Sequence, residues 1–291
     1  MTHPISGTGN ACFQLPAALI DTIPTRPLNG AARRVLAFLL WEAHRLDRWP
    51  GAGAQAGPIA VGLPLADIRT GAGLEAAKDY RAVCRALDAL AGTGLILARN
   101  NGEDVTCPIL CDWKTGLGHT AHLTLSAPLA ALHARPLDRY ALLNILQMRD
   151  LTKPADFYLY ARACLVARQH RAVFELPLSS FARMAGLPGE EWGTLRRPLV
   201  GACRRVAART GIRFRLQTWC SGREGGIDTL RVEVATGTRP WLLLRSHHRA
   251  IHLEVDAGGV RPFAPGSAGI MDVFRTPEAG RACRGPLRAT G

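Results

Sequence analysis

Apolar residues along this chain alternate between two spacings, and the order of the spacings occurs twice. Between Gly30 and Arg48, Val35, Leu36, Leu39, Leu40 and Ala43 fall on one stripe, which predicts a helix. A Gly/Ala/Pro loop follows and ends near Pro58. Ile59–Leu63 has the look of a short strand, Pro64–Thr70 of a short helix opened by proline, and Gly71-Ala72-Gly73 of a turn. Leu74 to Gly92 is predicted as a longer helix, closed by the C-cap signal Gly92-Thr93-Gly94. Leu95–Arg99, Val105–Trp113 and His119–Leu125 then alternate as strands.

The second half repeats the order. Helices are predicted at about Asp138–Asp150 and Ala155–Gln169, then a strand at Val173–Leu176. A short helix, Leu178–Ala185, a turn at Gly186-Leu187-Pro188 and a long helix ending at Thr210 come next. Strands at Arg213–Trp219 and Thr229–Val234 bracket the loop Cys220–Gly226. Trp241–Leu244 and Ile251–Val255 are further strand-like pieces, and the chain after Pro262 has the composition of a loose tail. Short helix, turn, long helix and hairpin make a winged helix-turn-helix. The expected fold is therefore α+β with two tandem winged-helix domains. Residues 1–28 form an arm, 29–132 and 133–236 the two domains, and 237–291 a partly disordered extension.

Charge sharpens this picture. The 291-residue chain carries 36 Lys+Arg against 23 Asp+Glu, a net charge of +13, and 47% hydrophobic residues, enough for a proper core. Residues 1–145 hold 13 basic against 11 acidic residues, a net of +2; residues 146–291 hold 23 against 12, a net of +11. That excess argues for a polyanionic partner, most simply double-stranded DNA. Eight scattered cysteines give no disulfide framework, and no signal peptide or apolar span is read, so the expected setting is the reducing cytoplasm, away from membranes.

The basic residues concentrate on the long helix of the second half. Between Gly193 and Cys220 stand Arg196, Arg197, Arg204, Arg205, Arg209, Arg213 and Arg215, without an acidic residue. On a helical wheel Leu195, Leu199, Cys203 and Val206 face one way. Arg197 and Arg204 face the other, beside the small residues Thr194, Gly201 and Ala208, so they are the candidates for reading base edges. Arg196 and Arg205 flank that face, Arg213 and Arg215 begin the next strand, and Arg223 lies in the wing; these suit phosphates. Pro198 requires that the helix either begin near Arg197 or kink. In the first half Lys78, Arg81 and Arg85 line one face, diluted by Asp79 and Asp88, which gives that helix a weaker DNA role.

Other chemistry is poorly supported. Cys107, Cys111, His119 and His122 are zinc-ligand types at a spacing of no recognised finger, and both cysteines are expected on one buried strand face. His247, His248 and His252 form a looser cluster. No P-loop, nucleophile elbow or dinucleotide fingerprint occurs, so a binder without metal, cofactor or catalytic residue is expected rather than an enzyme. Tyr140, Phe157, Tyr158 and Tyr160 are read as core.

The second half resembles the C-terminal winged-helix domain of the plasmid replication initiator (Rep) family. The likeness rests on Arg139-Tyr140-Ala141-Leu142-Leu143, on Phe174-Glu175-Leu176 and Leu178 through Pro188, and on Leu195-Arg196-Arg197-Pro198-Leu199 continuing to Gly211. It covers about residues 135–235, and 28–130 only in architecture. The usual Glu-Ile-Asn before the terminal Thr is replaced by Arg205-Val206-Ala207. The resemblance implies binding to repeated origin sequences (iterons), opening of adjacent AT-rich DNA, and recruitment of a host replication initiator and helicase. It also implies a homodimer or a monomer–dimer equilibrium. A winged-helix transcriptional regulator and a metal-dependent DNA-nicking enzyme are the other classes open at this point.

Overall fold

The computed structural model describes residues 11–49, 56–77, 79–98, 104–134, 139–169, 171–187, 189–219, 227–237 and 251–263. The chain divides into two compact units, residues 1–165 with 184–186, and residues 166–183 with 187–291. Helices and antiparallel sheets mix in both, so the fold is α+β.

The first unit opens with strand β1 (Cys12–Pro16), a single-turn helix α1 (Ala17–Ile20) and β2 (Ile23–Pro24). Helix α2 (Gly30–Arg45) is capped by Asn29, whose side chain accepts from the Ala32 amide at 2.8 Å. Its buried stripe, including Val35, Phe38, Leu39 and Trp41, forms the centre of the unit's core. Strand β3 (Ile59–Pro64), α3 (Leu65–Gly71) and α4 (Arg81–Ala91) follow, then β4 (Gly94–Ala98), β5 (Asp104–Pro108), β6 (Leu110–Thr115), β7 (Thr120–Leu125) and α5 (Ala127–Ala134). Strand β8 (Tyr140–Asn144), α6 (Ile145–Met148) and α7 (Pro154–Ala167, whose last two residues group with the second unit) end the series. Gly71 lets α3 close on the core: a Cβ there would stand 2.0 Å from the Phe38 ring.

Residues 12–28 are not a free arm. Cys12–Pro16 pairs with Tyr140–Asn144, and Ile23–Pro24 with β4. That pairing also makes Tyr140–Asn144 a strand where a helix was expected, and only Ile145–Met148 turns helical, capped by the Asn144 side chain on the Leu146 amide. The long helix predicted over Leu74–Gly92 is likewise shortened. Gly73 takes φ +64, and its carbonyl accepts from Arg34 Nη1 at 2.8 Å, which holds a turn. The helix begins at Arg81, whose amide bonds the Asp79 carboxylate at 3.1 Å. The single strand expected over Val105–Trp113 is two strands in two sheets, β4–β5 with β2 and β6–β7 with β3.

The second unit contains β9 (Val173–Pro177), α8 (Leu178–Ala185, whose last two residues group with the first unit), α9 (Trp192–Thr210), β10 (Arg213–Trp219), β11 (Thr229–Ala235), β12 (Ile251–Asp256) and β13 (Gly259–Pro262). They form one antiparallel sheet in the order β13-β12-β10-β11-β9. The expected strand at Ile251–Val255 is therefore integral to this sheet; Trp241–Leu244 and the tail from residue 264 lie outside the described residues. Each unit contains a strand, a short helix, a longer helix and a hairpin. In each the first strand pairs with the second strand of the hairpin, β3 with β7 and β9 with β11.

Register divides the second sheet into two chemically different faces. Phe214 stands opposite Val234 and Val255, and Leu216 opposite Val232 and Leu253, all buried. This apolar face packs with α9, which contributes Leu195, Leu199, Cys203 and Val206. On the other face Arg215 stands opposite Glu233 and Glu254, and Arg231 opposite Gln217 and Glu175.

Candidate nucleic-acid interface

Helix α9 is built to expose its cations. Leu195, Leu199, Cys203 and Val206 are fully buried, and at about 100° per residue this places Arg197 and Arg204 on the solvent side. Arg196, Arg197 and Arg204 are exposed, as are Thr194 and Ala208 beside them. Among the described residues, none of these three guanidinium groups has a hydrogen-bond or ion-pair partner. Arg205 is half-buried at the edge of the face. Arg209, in the last turn, adds a cation at the negative end of the helix dipole.

The helix runs unbroken from Trp192 to Thr210 with Pro198 inside it. The missing proline N–H frees the Thr194 carbonyl, and Thr194 is exposed, so water can satisfy that group. At the far end Gly211 takes φ +71 and donates to the Ala207 carbonyl at 2.9 Å, while the Thr210 hydroxyl accepts from the Ile212 amide. This cap stops the helix sharply and turns the chain into β10.

The strand arginines behave differently. Arg215, expected to face phosphate, is held within the sheet: its Nε donates to Glu254 at 2.8 Å and its guanidinium lies 4.6 Å from the Phe263 ring centroid. The side chains of Arg215 and Glu254 are only 15% and 7% exposed. Arg261 donates to the same carboxylate at 2.6 Å. Burial works against the Glu254 charge, but hydrogen bonds and charge from Arg261 and Arg215 outweigh it and hold the carboxyl below its ordinary range. Arg231, also on this face, is held by Glu175 at 2.8 Å and stacks 5.0 Å from the Trp219 ring. Arg213 is half-buried, with Nη2 on the Gly237 carbonyl at 3.2 Å. Arg223 lies outside the described residues. The braces on this sheet had no signal in the sequence, because partners such as Arg215 and Glu254 are 39 positions apart.

In the first unit α4 has the expected apolar face, with Val83, Leu87 and Leu90 buried. Its cations are engaged locally. Arg81 pairs with Asp79 at 3.3 Å, and Arg85 Nε donates to the Arg81 carbonyl at 3.3 Å. Asp88 accepts from Trp113 Nε1 on β6 at 3.1 Å. Lys78 lies outside the described residues.

The cysteines expected on one strand face are separated. Cys107 is buried on β5 and Cys111 exposed on β6, because the chain changes sheets between them. Among the described residues no group of three His, Cys, Asp or Glu side chains could hold a metal ion. His252 lies on β12 against Phe263; His247 and His248 are outside the described residues. Phe157, Tyr158 and Tyr160 are buried, with the Tyr160 hydroxyl on Gln147 at 2.6 Å. No described helix is long and apolar enough to cross a membrane.

No protein-family model matches the sequence, and no curated protein matches it. Among solved structures the chain is similar to a Pi initiator protein crystallised in complex with iteron DNA, with a TM-score of 0.58 at 12% sequence identity. The match covers 79% of this chain and 99% of that one, so the two share a fold over most of their length.

Proposed function

We propose that the protein is a plasmid-type replication initiator made of two winged-helix domains, in which α9 reads repeated origin sequences from the major groove. The observation that carries this reading is the exposed set Arg196, Arg197 and Arg204, unpartnered among the described residues, on a helix whose opposite face is locked to its sheet. Side chains held ready without an internal partner can form bidentate contacts with guanine or grip phosphate without first breaking an ion pair. The shared fold with a protein crystallised on iteron DNA supports the choice of DNA as partner. The common topology of the two units, with the first strand paired to the far strand of the hairpin, supports the tandem arrangement.

In this proposal α4 touches backbone or serves dimerisation, Arg205 and Arg213 border the α9 contact, and the protein acts as a binder without catalytic residues. Origin opening and recruitment of a host replication initiator and helicase in the cytoplasm complete the role. Footprinting on the DNA flanking the gene tests it. Protection of direct repeats at constant spacing beside an AT-rich tract is the expected result. Protection of one promoter palindrome overturns the initiator reading in favour of a regulator, and strand cleavage abolished by chelator overturns the binder reading.

A further inference from the structure

The first unit holds a cavity of about 110 Å³ among α1, α2, α5 and α7. Its walls are apolar, Leu15, Leu40, Leu129 and Phe157 among them, and among the described residues Arg33 is the one charged residue that lines it. Arg33 is half-buried, and its Nε donates to the Leu28 carbonyl at 3.3 Å. Its other four N–H groups have no acceptor among the described residues. Burial pushes the guanidinium pKa down to about 10. The other polar groups are engaged: the Thr22 hydroxyl donates to the Leu19 carbonyl at 2.7 Å, and the Tyr158 hydroxyl accepts from Arg162 Nε at 3.2 Å.

A cation in an apolar wall without a counter-charge is an unfavourable arrangement that an incoming anion would relieve. Apolar walls disfavour a hydrated inorganic anion and favour one that brings an alkyl tail. A cavity of ~150 Å³ accepts benzene, so this one has room for a tail of about four carbons. We propose that the cavity is a binding site for a short-chain aliphatic carboxylate, its tail among the leucines and its carboxylate forked onto Arg33.

The test is a titration of the full chain with pentanoate, 1-pentanol and acetate at constant ionic strength, followed by saturation-transfer NMR. Pentanoate is expected to saturate in the millimolar range or below, about tenfold tighter than pentanol, as a charge-assisted hydrogen bond to Arg33 implies. Acetate, lacking the tail, binds weakest. Arg33→Met, checked for folding by circular dichroism, is expected to bind pentanoate and pentanol alike. Equal binding of pentanoate and pentanol by the unmodified protein overturns the proposal, as does absence of saturation; neither result depends on the variant folding. Origin-DNA binding is a separate readout, so failure here leaves the DNA reading intact.

Discussion

Helices α4 and α9 occupy the same place in their units, after a short helix and before a hairpin, yet they treat their arginines in opposite ways. On α4, Arg81 is paired with Asp79 and Arg85 bonds its own helix. On α9, Arg196, Arg197 and Arg204 face solvent without a partner among the described residues, and the helix contains no acidic residue at all. The sheet beneath α9 does hold paired arginines, but on its far face, where Arg215 and Arg261 converge on Glu254. Total charge therefore does not identify a nucleic-acid surface. Charge left unpaired on a well-anchored face is the more selective sign.

Charge reversal gives the largest break in this comparison. Arg197→Glu with Arg204→Glu is expected to lower affinity for the protected repeat by about 10³-fold or more in gel-shift titrations, combining two lost contacts of ~1–3 kcal/mol each with repulsion. Arg81→Glu with Arg85→Glu should cost less than about tenfold. Equal losses would erase the distinction between the helices.

Arg215→Ala comes next and acts on stability instead. It leaves the buried Glu254 with a single partner, and urea unfolding is expected to show a loss of about 3 kcal/mol. Arg204→Ala should leave unfolding within about 0.5 kcal/mol of the unmodified protein. A weaker effect follows from the α9 cap: Gly211→Ala, forced into φ +71, should destabilise by about 1 kcal/mol. The smallest effect is a pH dependence. The Glu254 carboxyl is held below its ordinary 4.5, so its stabilising charge is fully present above that pH and is lost as pH falls through the lowered value. Glu254→Gln should remove that part of the acid sensitivity. If the unfolding profile between pH 5 and about 2 keeps its shape in the variant, the brace does not titrate as described.

Much of the second unit was legible in the sequence because its signals are local. Leu178–Ala185 and the stripe Leu195, Leu199, Cys203, Val206 carry helical periodicity, and Arg213–Trp219 alternates as a strand. What escaped depends on distant partners. Cys12–Pro16 becomes a strand only because Tyr140–Asn144 lies alongside, and those two segments are more than a hundred residues apart. Ala127–Ala134 gives no helical signal for a different reason: it is apolar almost all round and shows no face. The exposed arginines of α9 followed from the wheel, whereas the commitment of Arg215 to Glu254 needed the β10–β12 pairing.

In the proposed function α9 reads sequence and α4 does not. The most direct measurement compares the Arg197→Ala/Arg204→Ala and Arg81→Ala/Arg85→Ala proteins on the protected repeat and on random DNA, over a range of salt. The α9 variant is expected to lose about 2 kcal/mol or more on the repeat and much less on random DNA, so that its specificity ratio collapses. The α4 variant should keep that ratio. A collapse in the α4 variant with the ratio preserved in the α9 variant would contradict it.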